Sequence, residues 1–366
     1  MLFFGRKNDE DEEYDDDELE ERLSSRRAKF KGSKGSNPRN KKKKETKKPW
    51  GKTERLLVLA AILLTAGVSG ILALSSRAWK LPGFPRLTVP RLAFPFLSEE
   101  TIVLEGRKAD QEKAGRAVDA FFSQTRDLSG VWGLYVVRLG SGFSYGVNEL
   151  EVFQAASLIK LPVMAGMYME AEEGNLDLEE KYTLKNADKL SGSGSLYSRP
   201  AGYEITYRNL IRLMGKESDN TAFNIARNIL GDEKINEVIG RLGMNDTSLE
   251  ENETTAHDIG KFFEDLWFGN IINEEHKNEF LEFLTNTSFE AWLAEGVPQN
   301  VRVAHKYGRE LHVVNDAGIV YAEELSEPGS SQPFVIVILS KGVVDREADN
   351  VFPSLAGTVY NIETSE

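Results

Sequence analysis

The sequence predicts an α/β fold of the α+β sandwich type. One antiparallel sheet comes from the two ends of a folded region, helices flank it, and a helical lobe comes from the middle. Three observations predict it. "VWGLYVVRL" and "FSYGVN", joined through Gly140-Ser141-Gly142, read as an early β-hairpin. A long middle section carries the apolar spacing of helices. "VRVAHKYG", "LHVVNDAGIVYAEE" and "PFVIVILSKG" then return the chain to strands.

The elements follow in order. "DQEKAGRAVDAFFSQTRD" (110–127) spaces Ala, Val and Phe as one helical face. After the hairpin, "FQAASLIKLPVMAGMYME" (153–170) reads as a buried helix. "YRNLIRLMGKESDNTAFNIARNIL", "EKINEVIGRLG", "TTAHDIGKFFEDLWFG" and "NEEHKNEFLEFLTN" supply the lobe. In the third of these Thr255 is placed to cap, with Asp258 as a capping-box-like acid. A last helix runs through "ADNVFPSLAGTVYNI". A groove between sheet and lobe is the expected place for a site.

The folded region is expected to span 109–366, behind three segments of different character. Residues 1–55 join an acidic block, Asp9 to Glu21, to a stretch dense in Lys and Arg; both read as disordered, and as cytoplasmic. Leu56 to Leu74 holds no charge and is long enough to span a bilayer. Its length, and the charged residues before it, favour an uncleaved anchor over a signal peptide. The basic cluster before it orients the N-terminus to the cytoplasm and the rest to the outside. The run from Lys41 to Lys48 suits contact with anionic lipid. Residues 75–108, with Pro82, Pro85, Pro90 and Pro95, read as a stalk.

The net charge is −13, and residues 1–55 are slightly basic, so the folded region carries more than the whole excess of acid. That argues against nucleic acid as a partner. The chain has no cysteine, which excludes disulfides, thiolate zinc sites and thiol catalysis. Its four histidines form no metal-binding motif, so neither a metal nor a cofactor is expected.

Two serines invite a catalytic reading. "GFSYG" (142–146) has the form of a nucleophile elbow, but that motif needs a helix directly after the serine and here sits in a strand. Ser157-x-x-Lys160 lies in an otherwise apolar stretch. On a helix the two side chains share a face. Burial lowers a lysine's proton affinity, and a neutral lysine can take a serine's proton. From this stretch alone, a helix-end serine beside a snorkelling lysine is an equal alternative.

Two further motifs decide between them. Ser218-Asp219-Asn220 precedes an apolar helix, and Lys306-Tyr307-Gly308 lies on an expected strand. S-x-x-K, S-D-N and K-T-G in this order mark class A β-lactamases and penicillin-binding proteins. Over most of 110–366 the chain resembles the class A β-lactamase-like branch of the penicillin-recognising serine hydrolases. The resemblance includes "EVFQAASLIKLPVM", "GNLDLEEKYTL", "GYEITYRNLIRLMGKESDNTA", "WLAEGVPQNVRVAHKYG" and "VVNDAGIVY".

The resemblance implies that Ser157 is acylated with Lys160 as base. It implies that Ser218, helped by Lys306, relays a proton to the leaving nitrogen. Asn220 is implied to hold the substrate amide, with Tyr307, Gly308 and Arg309 on the substrate-binding strand, and Asp219 to buttress its loop. Backbone N–H groups of Ser157 and Arg309 would form the oxyanion hole. The implied substrates are β-lactams or peptidoglycan peptides.

Two departures stand out. Tyr307 replaces a Thr or Ser whose hydroxyl would bind a substrate carboxylate. The long loop that carries a deacylating Glu in class A β-lactamases is missing. Glu250, Glu251 and Glu253 remain in a short turn, where they are expected to be solvated. Acylation with slow deacylation is therefore expected. The alternative is a catalytically weak wall-binding or sensory module on the same fold.

Overall fold

The computed structural model describes Thr65, residues 108–322 and residues 332–365. Apart from Thr65 and Lys108, the tail, anchor and stalk of the sequence reading lie outside the described residues. Among the described residues no helix is long and apolar enough to cross a membrane.

Helix α1 (Lys108–Thr125) leads into the hairpin of β1 (Val131–Arg138) and β2 (Ser144–Val147). Strand β3 (Phe153–Gln154), a 3-10 turn (Ala156–Ile159) and α2 (Lys160–Glu172) follow. The short strands β4 (Lys181–Thr183) and β5 (Glu204–Thr206) pair with each other. Then come α3 (Tyr207–Lys216), α4 (Asn220–Leu230) and α5 (Asp232–Arg241). Strand β6 (Glu253–Thr254) pairs with β3 and precedes α6 (Ala256–Trp267), α7 (Glu274–Phe283) and α8 (Leu293–Gly296). The chain closes with β7 (Val303–Glu310), β8 (Val313–Val320), β9 (Phe334–Lys341) and α9 (Asp345–Thr364).

The main sheet has the order β2-β1-β9-β8-β7, antiparallel throughout. The expected pairing of the two ends occurs between β1 and β9, from Val131 opposite Lys341 to Arg138 opposite Phe334. Side chains alternate across a strand, so β9 feeds two cores at once. Val335, Val337 and Leu339 join the α2, α6 and α7 side chains on one face. Phe334, Ile336 and Ile338 join α1 and α9 on the other. All of β8 is buried, whereas β7 is an edge strand facing the lobe.

Local chemistry sets the helix starts. Thr206, Thr255 and Asn273 each accept a backbone N–H three residues on, at 3.2, 3.1 and 3.0 Å. The expected cap at Thr255 is there, but Asp258 does not complete a box. Its carboxylate accepts instead from Asp246 N and Thr247 Oγ1, each at 2.9 Å, and so ties down the turn before β6. "GFSYG" is no elbow: Ser144 opens β2 and is buried within the sheet.

The stretch 153–170 differs from the single helix expected. Ser157 lies in the 3-10 turn, and Lys160 opens α2. Ala156, directly before the serine, has φ +48°, a left-handed conformation that breaks regular helix there. The i, i+3 relation survives because side chains three apart eclipse in a 3-10 turn.

Candidate active site

Three elements converge between the sheet edge and the lobe. The 3-10 turn carries Ser157, the α3–α4 turn carries Ser218 to Asn220, and β7 carries Lys306 to Arg309. The structure brings Ser157, Lys160, Ser218, Asn220 and Lys306, the residues the resemblance singles out, within one cluster.

Lys160 is the hub. Its Nζ lies 3.1 Å from Ser157 Oγ, 2.5 Å from the Ser218 carbonyl oxygen, 2.8 Å from Asn220 Oδ1 and 3.2 Å from Ser218 Oγ. Only 2% of its surface is exposed. Burial lowers its pKa to about 7, against the opposing pull of Asp219. A neutral amine has two N–H donors and one lone pair. The Ser218 carbonyl and Asn220 Oδ1 can only accept, so they take both donors and leave the lone pair for a serine hydroxyl. Asn220 is fixed in that orientation because its Nδ2 donates to Ser191 O at 3.0 Å.

Lys306 is fully buried on β7. It donates to Ser218 Oγ at 2.9 Å and to Tyr307 O at 2.7 Å. Burial and the neighbouring Lys160 push its pKa well down, partly offset by Asp316. The Ser218 hydroxyl therefore bridges two amines, and a proton can pass along that line.

Backbone geometry holds these groups. Ser218 has φ +53°, and like Ala156 and Asn252 it is a left-handed non-glycine residue beside the site, each such residue costing about 1–3 kcal/mol. Asp219 offsets part of that cost. Its Oδ1 caps α4 through Ala222 N and its Oδ2 accepts Leu196 N, both at 2.8 Å, which is the buttressing that the resemblance implies. Gly192 lies against the same turn, where an added Cβ would come within 2.8 Å of Asn220 Nδ2.

On β7, a Cβ at Gly308 would stand 2.8 Å from the Ser157 backbone nitrogen, so only glycine allows the strand this close. His305 N–H points away from β8, donating to Leu284 O at 2.8 Å. Backbone direction repeats every second residue, so Arg309 N–H also points out of the sheet edge, on the Ser157 side. The Arg309 side chain leaves the groove: its guanidinium pairs with Asp349 and lies over the Trp292 ring.

Tyr307 lies beside the relay, with Lys306 Nζ 4.4 Å from its ring centroid. Its ring packs beside Phe289 and Trp292, at centroid distances of 5.1 and 6.4 Å, and its hydroxyl meets Ser288 Oγ at 3.0 Å. Ser288 was not singled out from sequence, because no motif marks it. Behind the strand, buried His305 bridges Asp316 (2.8 Å) and Glu290 (3.3 Å). Burial opposes its charge, but the two carboxylates raise its pKa to about 9.

A cavity of about 250 Å³ opens beside Ser157 and Lys160, with Glu250, Asn252 and Glu310 in its wall. The three acids of the short turn therefore differ. Glu251 bonds to Ser248 and Glu253 to Gln154, while Glu250 alone of the three lines the cavity. The turn itself is pinned by Asn252, whose O accepts Ala155 N at 2.7 Å and whose Nδ2 donates to Glu310 at 3.0 Å.

Comparison with known proteins agrees with this geometry. Beta-lactamase SME-1 of Serratia marcescens is 22% identical over 275 residues, which are 69% of this chain and 91% of that enzyme. A solved β-lactamase from Sphaerobacter thermophilus superposes with a TM-score of 0.60 at 26% identity, covering 68% of this chain and 95% of that one. PBP-A superposes with a TM-score of 0.62 at 24% identity, covering 68% and 95%. A PBP-A mutant solved as its acyl-enzyme complex with penicillin G gives 0.60 at 25%, covering 69% and 95%. The model of the beta-lactamase enzyme family matches residues 113–362. The chain therefore belongs to the beta-lactamase enzyme family and is a serine hydrolase of that type.

Proposed function

We propose that this chain is a membrane-anchored, extracytoplasmic enzyme that forms an acyl-enzyme at Ser157 with β-lactams or cell-wall peptides. The observation that carries the reading is the Lys160 amine, buried, with its pKa lowered to about 7 by that burial, and 3.1 Å from Ser157 Oγ. The neutral amine takes the Ser157 proton as Oγ bonds to the substrate carbonyl carbon. Backbone N–H groups of Ser157 and Arg309 receive the oxygen that gains charge. Ser218 gives its proton to the leaving nitrogen as the C–N bond breaks, and is reprotonated from the Lys160–Lys306 pair. Asn220 and the β7 edge hold the substrate amide.

Anchoring through Leu56 to Leu74 rests on that apolar run and the basic cluster before it. The cytoplasmic tail and its contact with anionic lipid rest on the same cluster. Slow release of the acyl group rests on the short turn at 248–253, which supplies one exposed carboxylate to the cavity instead of a long loop.

A second reading, a wall-binding or sensory module of weak catalysis, is favoured by Tyr307, whose hydroxyl is engaged by Ser288. Wall-fragment binding that survives Ser157→Ala, with no hydrolysis, would select it.

Intact-mass analysis after exposure to a fluorescent penicillin is the direct test. One acyl group is expected on the wild type, none on Ser157→Ala, and a long-lived adduct. An unlabelled wild type would refute the acyl-enzyme, and rapid turnover of a chromogenic β-lactam would refute the slow release. Gly308→Ala should cut the acylation rate roughly a hundredfold while the fold melts cooperatively, because the new methyl group displaces an oxyanion donor. The base works only when deprotonated, so acylation should fall about tenfold per pH unit below about 7 and level off above it. A rate independent of pH between 5 and 8 would contradict that assignment.

A further inference from the structure

The acylation step above fixes where the leaving group goes. Ser218 gives its proton to the leaving nitrogen, so whatever that nitrogen carries meets the residues next to Ser218. Lys306 bonds to the Ser218 hydroxyl, the Tyr307 ring stands beside Lys306, Ser288 meets the Tyr307 hydroxyl, and Glu217 adjoins Ser218 in the chain.

This group offers no cation to a substrate anion. Lys306 is fully buried. Its Nζ is enclosed by Ser218 Oγ at 2.9 Å, Tyr307 O at 2.7 Å and the Tyr307 ring, whose centroid is 4.4 Å away. The other cations of the region are committed elsewhere. Lys216 donates to Thr285 O and pairs with Glu282, Arg302 pairs with Glu282, and Arg309 pairs with Asp349. His305 is buried behind β7, between Asp316 and Glu290.

Negative charge is closer to hand. Glu217 accepts Ser195 N at 2.9 Å and has no ion pair among the described residues. Burial raises the Tyr307 pKa against the Ser288 hydrogen bond, and Asp316, Glu217 and Glu290 add to the rise. The charges that shift that phenol are therefore all carboxylates. Beside them stand the Tyr307 ring and two hydroxyls, Tyr307 Oη and Ser288 Oγ, 3.0 Å apart. Hydroxyls donate and accept, which suits an amide or ester and leaves a full negative charge unpaired.

We propose that Tyr307, with Ser288 and Glu217, selects substrates that carry no free carboxylate beside the scissile nitrogen. The preferred chemistry there is an uncharged amide or ester, as in a peptide that continues past the scissile bond. This is the reverse of the carboxylate-binding hydroxyl that the resemblance implies at 307. A penicillin with its free carboxylate still acylates Ser157, only more slowly. The proposal rests on the acyl-enzyme reading above.

The test uses the full-length chain with benzylpenicillin and its methyl ester. The rate constant for acylation of Ser157 is read at early times by intact mass, and each is divided by that probe's own rate of hydrolysis in hydroxide. The ester should be favoured roughly fivefold, the scale of one partly screened like-charge contact. Glu217→Gln, which keeps an acceptor for Ser195 N, should lower that ratio to about 2. Tyr307→Thr, which uncovers Lys306, should invert it in favour of the free acid. Each ratio compares two probes in one protein, so a general loss of activity does not mimic the result. A wild type that acylates equally fast with both, or faster with the free acid, would overturn the selection alone. So would a ratio unchanged in both variants, and Glu217→Gln decides the matter if Tyr307→Thr does not fold. Failure of both probes to modify Ser157 would overturn the acyl-enzyme reading and the selection with it.

Discussion

Two buried lysines share one serine hydroxyl, and the rest of the site is arranged around that constraint. Lys160 Nζ and Lys306 Nζ lie 3.2 and 2.9 Å from Ser218 Oγ, so they are no more than about 6 Å apart. Two full charges at that separation repel by about 3 kcal/mol at an effective dielectric near 20. Burial adds to the cost of each charge, so the pair favours one proton fewer than two ammonium groups would carry. Burial shifts both lysines downward, and for Lys306 the neighbouring Lys160 adds to that shift. An amine beside Ser157 that gives up its proton near pH 7 follows from that burial.

Holding two amines this close requires a stiff frame. The lobe supplies it through the α3–α4 turn, where the Asp219 carboxylate fixes both α4 and the loop at Leu196. The sheet supplies it through β7, whose glycine at 308 lets the strand reach the Ser157 nitrogen. The left-handed residues Ala156 and Ser218 show where the backbone is bent to serve side-chain positions instead of regular structure. Behind β7, the buried His305 with Asp316 and Glu290 ties the strand to the segment that carries Ser288.

Most of the fold was legible because hydrophobic period and turn residues agree along the chain. The β1–β2 hairpin, the helices of the lobe and the three late strands all follow from period and punctuation. The site's five polar residues were legible because an S-x-x-K, S-D-N and lysine-strand set survives intact. What the sequence did not yield was local. The break at Ala156 depends on a single torsion that no periodicity records. Asp258 was read as a partner for its own helix, but a nearby turn supplies donors in better position. Tyr307 was read as the loss of a small hydroxyl, and the packing of its ring beside Phe289 depends on tertiary neighbours that the motif does not record. The difference between Glu250 and its neighbours Glu251 and Glu253 depends on which way a short turn faces, and all three look alike in sequence.

The central claim is the protonation state of Lys160. It can be measured by NMR titration of lysine side chains labelled with carbon-13, the Lys160 signal being assigned by its loss in Lys160→Arg. The account predicts that this one signal titrates near pH 7, while exposed lysines titrate near the ordinary lysine value of about 10.4. A Lys160 that holds its proton to above about pH 10, like an exposed lysine, would contradict it.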